Sequence, residues 1–175
     1  RFRIKTYDLG KGRIFTGSSG SFDASATGNI KSTLWSMGYD AETYPNNSAN
    51  ALYSTLTASR VLLIHSLAAN GYMTLPCSIG NTYFYGYNFS GIESYSRALG
   101  TLASGSMGNM AIAIFLGDYT ATQNETYGNL IDMALVKGAA CAIGWYNELD
   151  RTFSTGWANA FFDKLNQNRS ITAAI

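Results

Sequence analysis

Charge is what this chain has least of. Lys and Arg number 12 and Asp and Glu 11, together 13% of 175 residues, against roughly a quarter in average soluble proteins. A formal net charge of +1 gives no electrostatic footprint for nucleic acid or for an anionic membrane surface. Only two cysteines are present, Cys77 and Cys141, so one disulfide is allowed and a disulfide framework is excluded. Cys141 falls in an apolar stretch, where a packed free thiol is expected. There is one histidine, His65, which leaves little material for imidazole chemistry or for a histidine-rich metal site. No apolar run approaches the roughly 20 residues of a membrane span. Neither an initiator Met nor a signal-like segment opens the chain, which is expected to be a processed form or part of a longer protein.

What is there instead is Gly, Ser, Thr, Asn and 12 Tyr, a polar but weakly charged surface of the kind expected in an extracellular or cell-surface protein. N-glycosylation sequons at Asn46, Asn88, Asn124 and Asn168 are compatible with that, and with a glycoprotein. At this length one domain spanning residues 1–175 is sufficient.

The organising stretch is Met110 to Trp145. Met110 to Leu116 is a continuous apolar run, as in a strand covered on both faces, and it stops at the polar Gly117-Asp118-Tyr119-Thr120. Tyr127, Leu130, Ile131, Ala134 and Leu135 then follow helical spacing, with Lys137 and Gly138 as the stop. Ala139 to Gly144 is expected to be the next strand, small enough in side chains for the sheet centre. Strand, helix, strand implies a parallel crossover, and ligands in such sheets bind at the carboxyl ends of the strands.

Upstream, Arg1 to Tyr7 alternates Phe2, Ile4 and Thr6 with Arg1, Arg3, Lys5 and Tyr7, an edge-strand pattern. Lys11 to Phe15 is a second strand, Thr16 to Thr27 a loop without the Gly-Lys-Ser/Thr ending of a phosphate loop. A helix marked by Ile30, Leu34 and Met37 ends at Gly38, and Ala41 to Tyr44 is a short strand. A helix capped by Ser48 follows, then a buried strand from Val61 to His65. Tyr72 to Tyr87 reads as a hairpin turning at Gly80-Asn81, Ile92 to Leu102 as a helix. A final long helix, with Trp157, Ala160, Phe161 and Leu165 inward, is expected after Thr152 to Thr155, and the start of another at Ser170.

Element order and several phrases resemble the caspase-like cysteine peptidase fold, the group of caspases, legumains, gingipains and separases. Ile30 to Tyr44 resembles its opening helix and second strand, Val61 to Gly71 the strand carrying the catalytic His-Gly, Ala113 to Ala121 the strand ending in the catalytic Cys, and Val136 to Trp145 the next helix end and strand. The resemblance implies an α/β three-layer sandwich, with a mostly parallel central sheet flanked by helices, a β-hairpin insertion and the N-terminal edge strand. It also places the family's His-Gly on Leu67-Ala68 and its Cys on Asp118. Leucine moves no proton, and a carboxylate is a poor nucleophile toward an amide. The expectation is a catalytically degenerate, non-catalytic pseudopeptidase, secreted, that binds protein or peptide or assembles with copies of itself through the 1–7 strand.

The alternative is a cysteine peptidase or other hydrolase with a rearranged site. His65 and Cys77 are the candidates for a relocated pair, and a two-residue slip in register would put His65 at the catalytic position. Asp118 has three readings: an acid paired with Glu148 or Asp150, a calcium ligand with the same residues, or a loop aspartate capping the Thr120 to Asn129 turn. By the same resemblance, the segment Trp145-Tyr146-Asn147-Glu148 lines a pocket which, with Tyr119, forms a binding groove, its candidates being Tyr119, Trp145, Asn147 and Glu148. The sequence calls for no cofactor and no dedicated metal site.

Overall fold

The structure is a computed structural model, and it describes residues 9–17, 24–78, 80–167 and 170–175. The expected strand over residues 1–7 and the sequon at Asn168 lie outside the described residues.

The central sheet has five strands, β1 (Lys11–Thr16), β2 (Asp40–Pro45), β3 (Ser59–His65), β8 (Ile112–Leu116) and β9 (Ala142–Ile143), of which β3 and β8 are the apolar runs. Its order is β2-β1-β3-β8-β9, with every pair parallel. Because β3 is flanked by β1 and β8 and covered on both faces, it tolerates almost no polar side chain between Val61 and Ile64. Between β3 and β8 the chain builds a smaller sheet of β4 (Ala68–Ala69), β5 (Tyr72–Cys77), β6 (Gly80–Tyr85) and β7 (Arg97–Ala98). The helices are α1 (Ala24–Met37), α2 (Ala49–Thr55), α3 (Leu130–Val136), α4 (Arg151–Asn166) and α5 (Ile171–Ala174).

Strand alternation splits the core in two. Phe15, Leu62, Ile64, Ala113 and Phe115 face Leu52 of α2, Met73 and Phe84 of the small sheet, and Leu130 and Ala134 of α3. Ile14, Val61, Leu63, Ile112 and Ile114 face Leu34 of α1, Phe161 and Phe162 of α4, and Ala174 of α5. The fold is therefore α/β with a parallel central sheet between two layers. Most of these side chains are fully buried, each contributing about 2 kcal/mol of transfer free energy.

Several expectations need correction. Ile92 to Leu102 is no α-helix: Arg97 and Ala98 pair in parallel with β6, and a single 3-10 turn follows at Leu99–Thr101. Leu99 and Leu102 are buried as the helical spacing suggests, but Tyr95 is 58% exposed and Ser96 accepts the Tyr83 N–H at 2.9 Å.

The loop expected over 16–27 gives way to α1 at Ala24. The last long helix starts earlier than expected, at Arg151, because Asp150 accepts the Phe153 N–H as its N-cap. Phe161 is buried as expected and Trp157 and Leu165 are half-buried against the same core, joined by Ser154, Ala158 and Phe162, while Ala160 is exposed. In α3, Asn129 caps the helix through the Ile131 and Asp132 N–H groups, so Tyr127 lies outside it, and Leu135 is 45% exposed.

Ala139 to Gly144 contributes only two strand residues, and these lie at the sheet edge, half-buried, rather than at its centre. Small side chains suit an edge tucked under α3 as well as they suit a centre, and composition does not separate the two.

Candidate functional site

The carboxyl ends of β3 and β8 bring two loops together. After β8 the chain turns at Gly117-Asp118-Tyr119-Thr120, with Tyr119 in the left-handed region at φ 55°. Thr120 is fully buried, and its Oγ1 lies 2.7 Å from the Phe115 carbonyl oxygen and 3.2 Å from that of Gly117. The same oxygen accepts the Trp145 N–H at 3.0 Å. One hydroxyl thus closes the turn and holds the segment after β9.

Further bonds continue the seam. Ala121 N–H donates to the Trp145 carbonyl at 2.9 Å, Tyr119 N–H to that of Asn147 at 3.3 Å, and Thr122 Oγ1 to that of Tyr146 at 3.3 Å. Asp118 Oδ1 accepts the Leu149 N–H at 2.7 Å. Asp118 therefore does not cap the Thr120 to Asn129 turn; it anchors the neighbouring segment.

The four groove candidates meet along this seam. Asn147 and Glu148 are exposed and Tyr119 is half-buried. Trp145 is half-buried too, but its ring packs edge-on against Trp157 at 4.8 Å, which in turn stacks on Phe161. Trp145 is part of the α4 layer as much as of any groove. Tyr146, 72% exposed, is the aromatic presented to solvent here.

Leu67 lies two positions after His65 but differs from it in environment. Leu67 is 49% exposed and its carbonyl accepts the Thr74 N–H at 2.8 Å. His65 is 5% exposed, with Nε2 2.9 Å from Ser154 Oγ of α4. Burial pushes its pKa down to about 2, so the imidazole is neutral. Cys77 stands at the far end of β5, opposite Gly80. Just before it, Thr82 Oγ1 accepts the Ala49 N–H at 2.8 Å and donates to the Leu75 carbonyl, which lays that end of the hairpin over the start of α2. His65 thus bonds to α4 on one face of the central sheet, while Leu75 and Thr82 of the hairpin that carries Cys77 pack with α2 on the other.

Cys141 is half-buried ahead of β9, its thiol pKa raised by burial, and both cysteines are free. Ser154 is the partner that sequence reasoning missed. Its signal was available: it lies one helical turn after the capping Asp150, on the stripe that continues to Ala158 and Phe161.

The acidic residues are likewise dispersed in role. Asp118 holds Leu149, Asp150 caps α4, and Glu148 is exposed; among the described residues no group of three or more His, Cys, Asp or Glu is placed to hold a metal. Of the sequons, Asn88 is exposed, Asn46 is exposed at φ 55° in the turn before α2, and Asn124 Oδ1 accepts the N–H groups of Thr126 and Tyr127 at 2.9 Å each.

Beside the seam, the outward face of the hairpin carries Tyr72, Tyr83 and Tyr85, joined by Phe89 and Tyr127 with ring centroids 4.9 to 6.1 Å apart. Tyr85 at its centre is 9% exposed, its phenol pushed up to about 12 chiefly by burial. The edge-on and tilted geometry packs the rings on one another, so the cluster fastens the 124–128 loop to the hairpin. Gly128, at φ +79°, is required there: a Cβ would stand 2.2 Å from the Tyr87 ring.

No protein-family model matches this chain, and no curated protein matches it.

Proposed function

We propose that this chain is a secreted, non-catalytic domain with a caspase-like scaffold, serving as a binding or structural module that assembles with copies of itself. The observation that carries the reading is the chemistry at the ends of β3 and β8. The two positions matched to the family's dyad are a half-exposed leucine and an aspartate whose carboxylate is engaged with the Leu149 N–H. The histidine nearest by sequence is buried against Ser154, and the hairpin that carries Cys77 packs with α2 on the other face of the central sheet. Around these positions the loops remain laced together, which is the arrangement of a scaffold kept for its surfaces.

The chain's low charge and its sequons support an extracellular setting. For assembly, the alternating Arg1 to Tyr7 segment is the donor, a strand-like sequence suited to adding to the sheet of another copy. Sedimentation velocity over a range of concentrations tests this. The full chain is expected to form larger species as concentration rises, and a chain lacking residues 1–7 to stay monomeric. An unchanged oligomeric state after the deletion would exclude the segment as donor.

A further inference from the structure

The open edge of the central sheet has the features of an acceptor. Among the described residues, β9 pairs with β8 alone. Ala113 N–H donates to the Cys141 carbonyl, and Ala121 N–H to that of Trp145. Backbone groups of odd-numbered residues in this stretch therefore face β8, and by strand alternation those of Ala142 and Gly144 face away from the sheet. Edges left open in natural sheets are commonly guarded by lysine, proline or a bulge. The stretch Cys141-Ala142-Ile143-Gly144-Trp145 carries none of these.

A groove of about 290 Å³ runs along this edge. Ile131 and Asp132 of α3 line it from one side and Ile175 from the other, with Tyr146 also on its wall. Among the described residues Tyr146 and Ile175 are 72% and 65% exposed, and Asp132 is the one charged side chain on the described wall. The side chains at 142 and 144 are too small to obstruct an approaching backbone. Gly144 has no room for more, since a Cβ there would stand 2.6 Å from Ile131 Cδ1.

We infer that the β9 edge and its groove are the acceptor for residues 1–7 of a second copy, which would add a strand outside β9. This rests on the self-assembly reading and goes beyond it by naming the surface. Three features select the occupant. The open backbone groups of Ala142 and Gly144 ask for an extended chain. The apolar wall suits the side of the segment carrying Phe2 and Ile4, and Asp132 complements the side carrying Arg1, Arg3 and Lys5. Donor and acceptor are different surfaces of one chain, so the contact is head-to-tail and propagates into rings or filaments.

The test uses a chain lacking residues 1–7 and a fluorescent heptapeptide, Arg-Phe-Arg-Ile-Lys-Thr-Tyr, with binding read by anisotropy. Two variants address the groove. Ala142→Pro removes an outward N–H, and Asp132→Lys reverses the charge on an exposed position. Circular dichroism of each confirms folding, and Asp132→Lys keeps the test decisive if the proline variant does not fold.

The expected result is saturable binding that weakens about tenfold or more in Ala142→Pro and several-fold in Asp132→Lys. A peptide carrying Glu at the positions of Arg3 and Lys5 should recover affinity on Asp132→Lys. Binding indifferent to both variants would overturn this acceptor while leaving self-assembly standing. No binding, together with a full chain that stays monomeric, would overturn both.

Discussion

Lowering the pH from 7 to 5 is expected to cost the fold about 2 kcal/mol, through His65. In the unfolded chain the imidazole takes up a proton near 6.5; in the fold, burial lowers its pKa to about 2. A group with a depressed folded pKa contributes stability in full above the unfolded value, and that contribution is lost as pH falls toward the folded one. Within that window each pH unit costs about 1.4 kcal/mol. Glu42, whose pKa is lowered by its hydrogen bond with Tyr44 and by Arg13, adds its own loss only below about 4.5. Between pH 7 and 5 the slope should therefore belong to His65. Urea midpoints at pH 7, 6 and 5 will show it in the native chain, and His65→Gln, whatever its own stability, should be flat over that interval. An equal slope in the variant would place the proton elsewhere.

Thr120→Val is expected to destabilise the chain by about 3 kcal/mol although the two side chains have nearly the same shape. The fully buried hydroxyl closes the turn onto Phe115 and Gly117 and accepts the Trp145 N–H. Valine leaves a buried amide without its acceptor. Thr120→Ser, which keeps the hydroxyl, should lose about 1 kcal/mol for the missing methyl. Denaturant midpoints give the stability change, and amide exchange at Trp145 gives its location. Fast exchange at Trp145 in the valine variant alone would locate the loss at the seam; equal midpoints for the two variants would mean the hydroxyl does not hold it.

Much of the framework was legible because it rests on local signals with one dominant cause. The apolar runs Val61 to His65 and Met110 to Leu116 could only be strands covered on both faces, and β3 and β8 are those. Ser48 ahead of an apolar helical stripe could be taken as a cap, and it accepts the Ala51 N–H. Alternating tyrosines specified the hairpin, but Gly80 and Asn81, expected at its turn, are paired within it with Cys77 and Pro76.

What failed depended on long-range partners. Ile92 to Leu102 has helical spacing, but Ser96 and Ala98 were claimed by β6. The residues around Ala142 are compatible with a sheet centre, and only the absence of a further described strand makes them an edge. Asp118 and His65 were identified as residues to explain, yet their partners, Leu149 at 31 positions and Ser154 at 89, could not be found by spacing. In the seam that defines the candidate site, Asp118, Thr120 and Thr122 bond to backbone groups of residues 145–149, and those partners carry no residue-type signal.

The claim that this scaffold binds rather than cuts is tested most directly by labelling. The full chain is treated with a peptide carrying a thiol-reactive electrophile, and with a mixture of unmodified peptides, and both are read by mass spectrometry. The prediction is no site-selective modification of Cys77 and no peptide cleavage, since the chain's one imidazole is buried and hydrogen-bonded to Ser154 of α4. Selective labelling and cleavage that both disappear in Cys77→Ala would contradict it, and would make this chain a peptidase with a rearranged site.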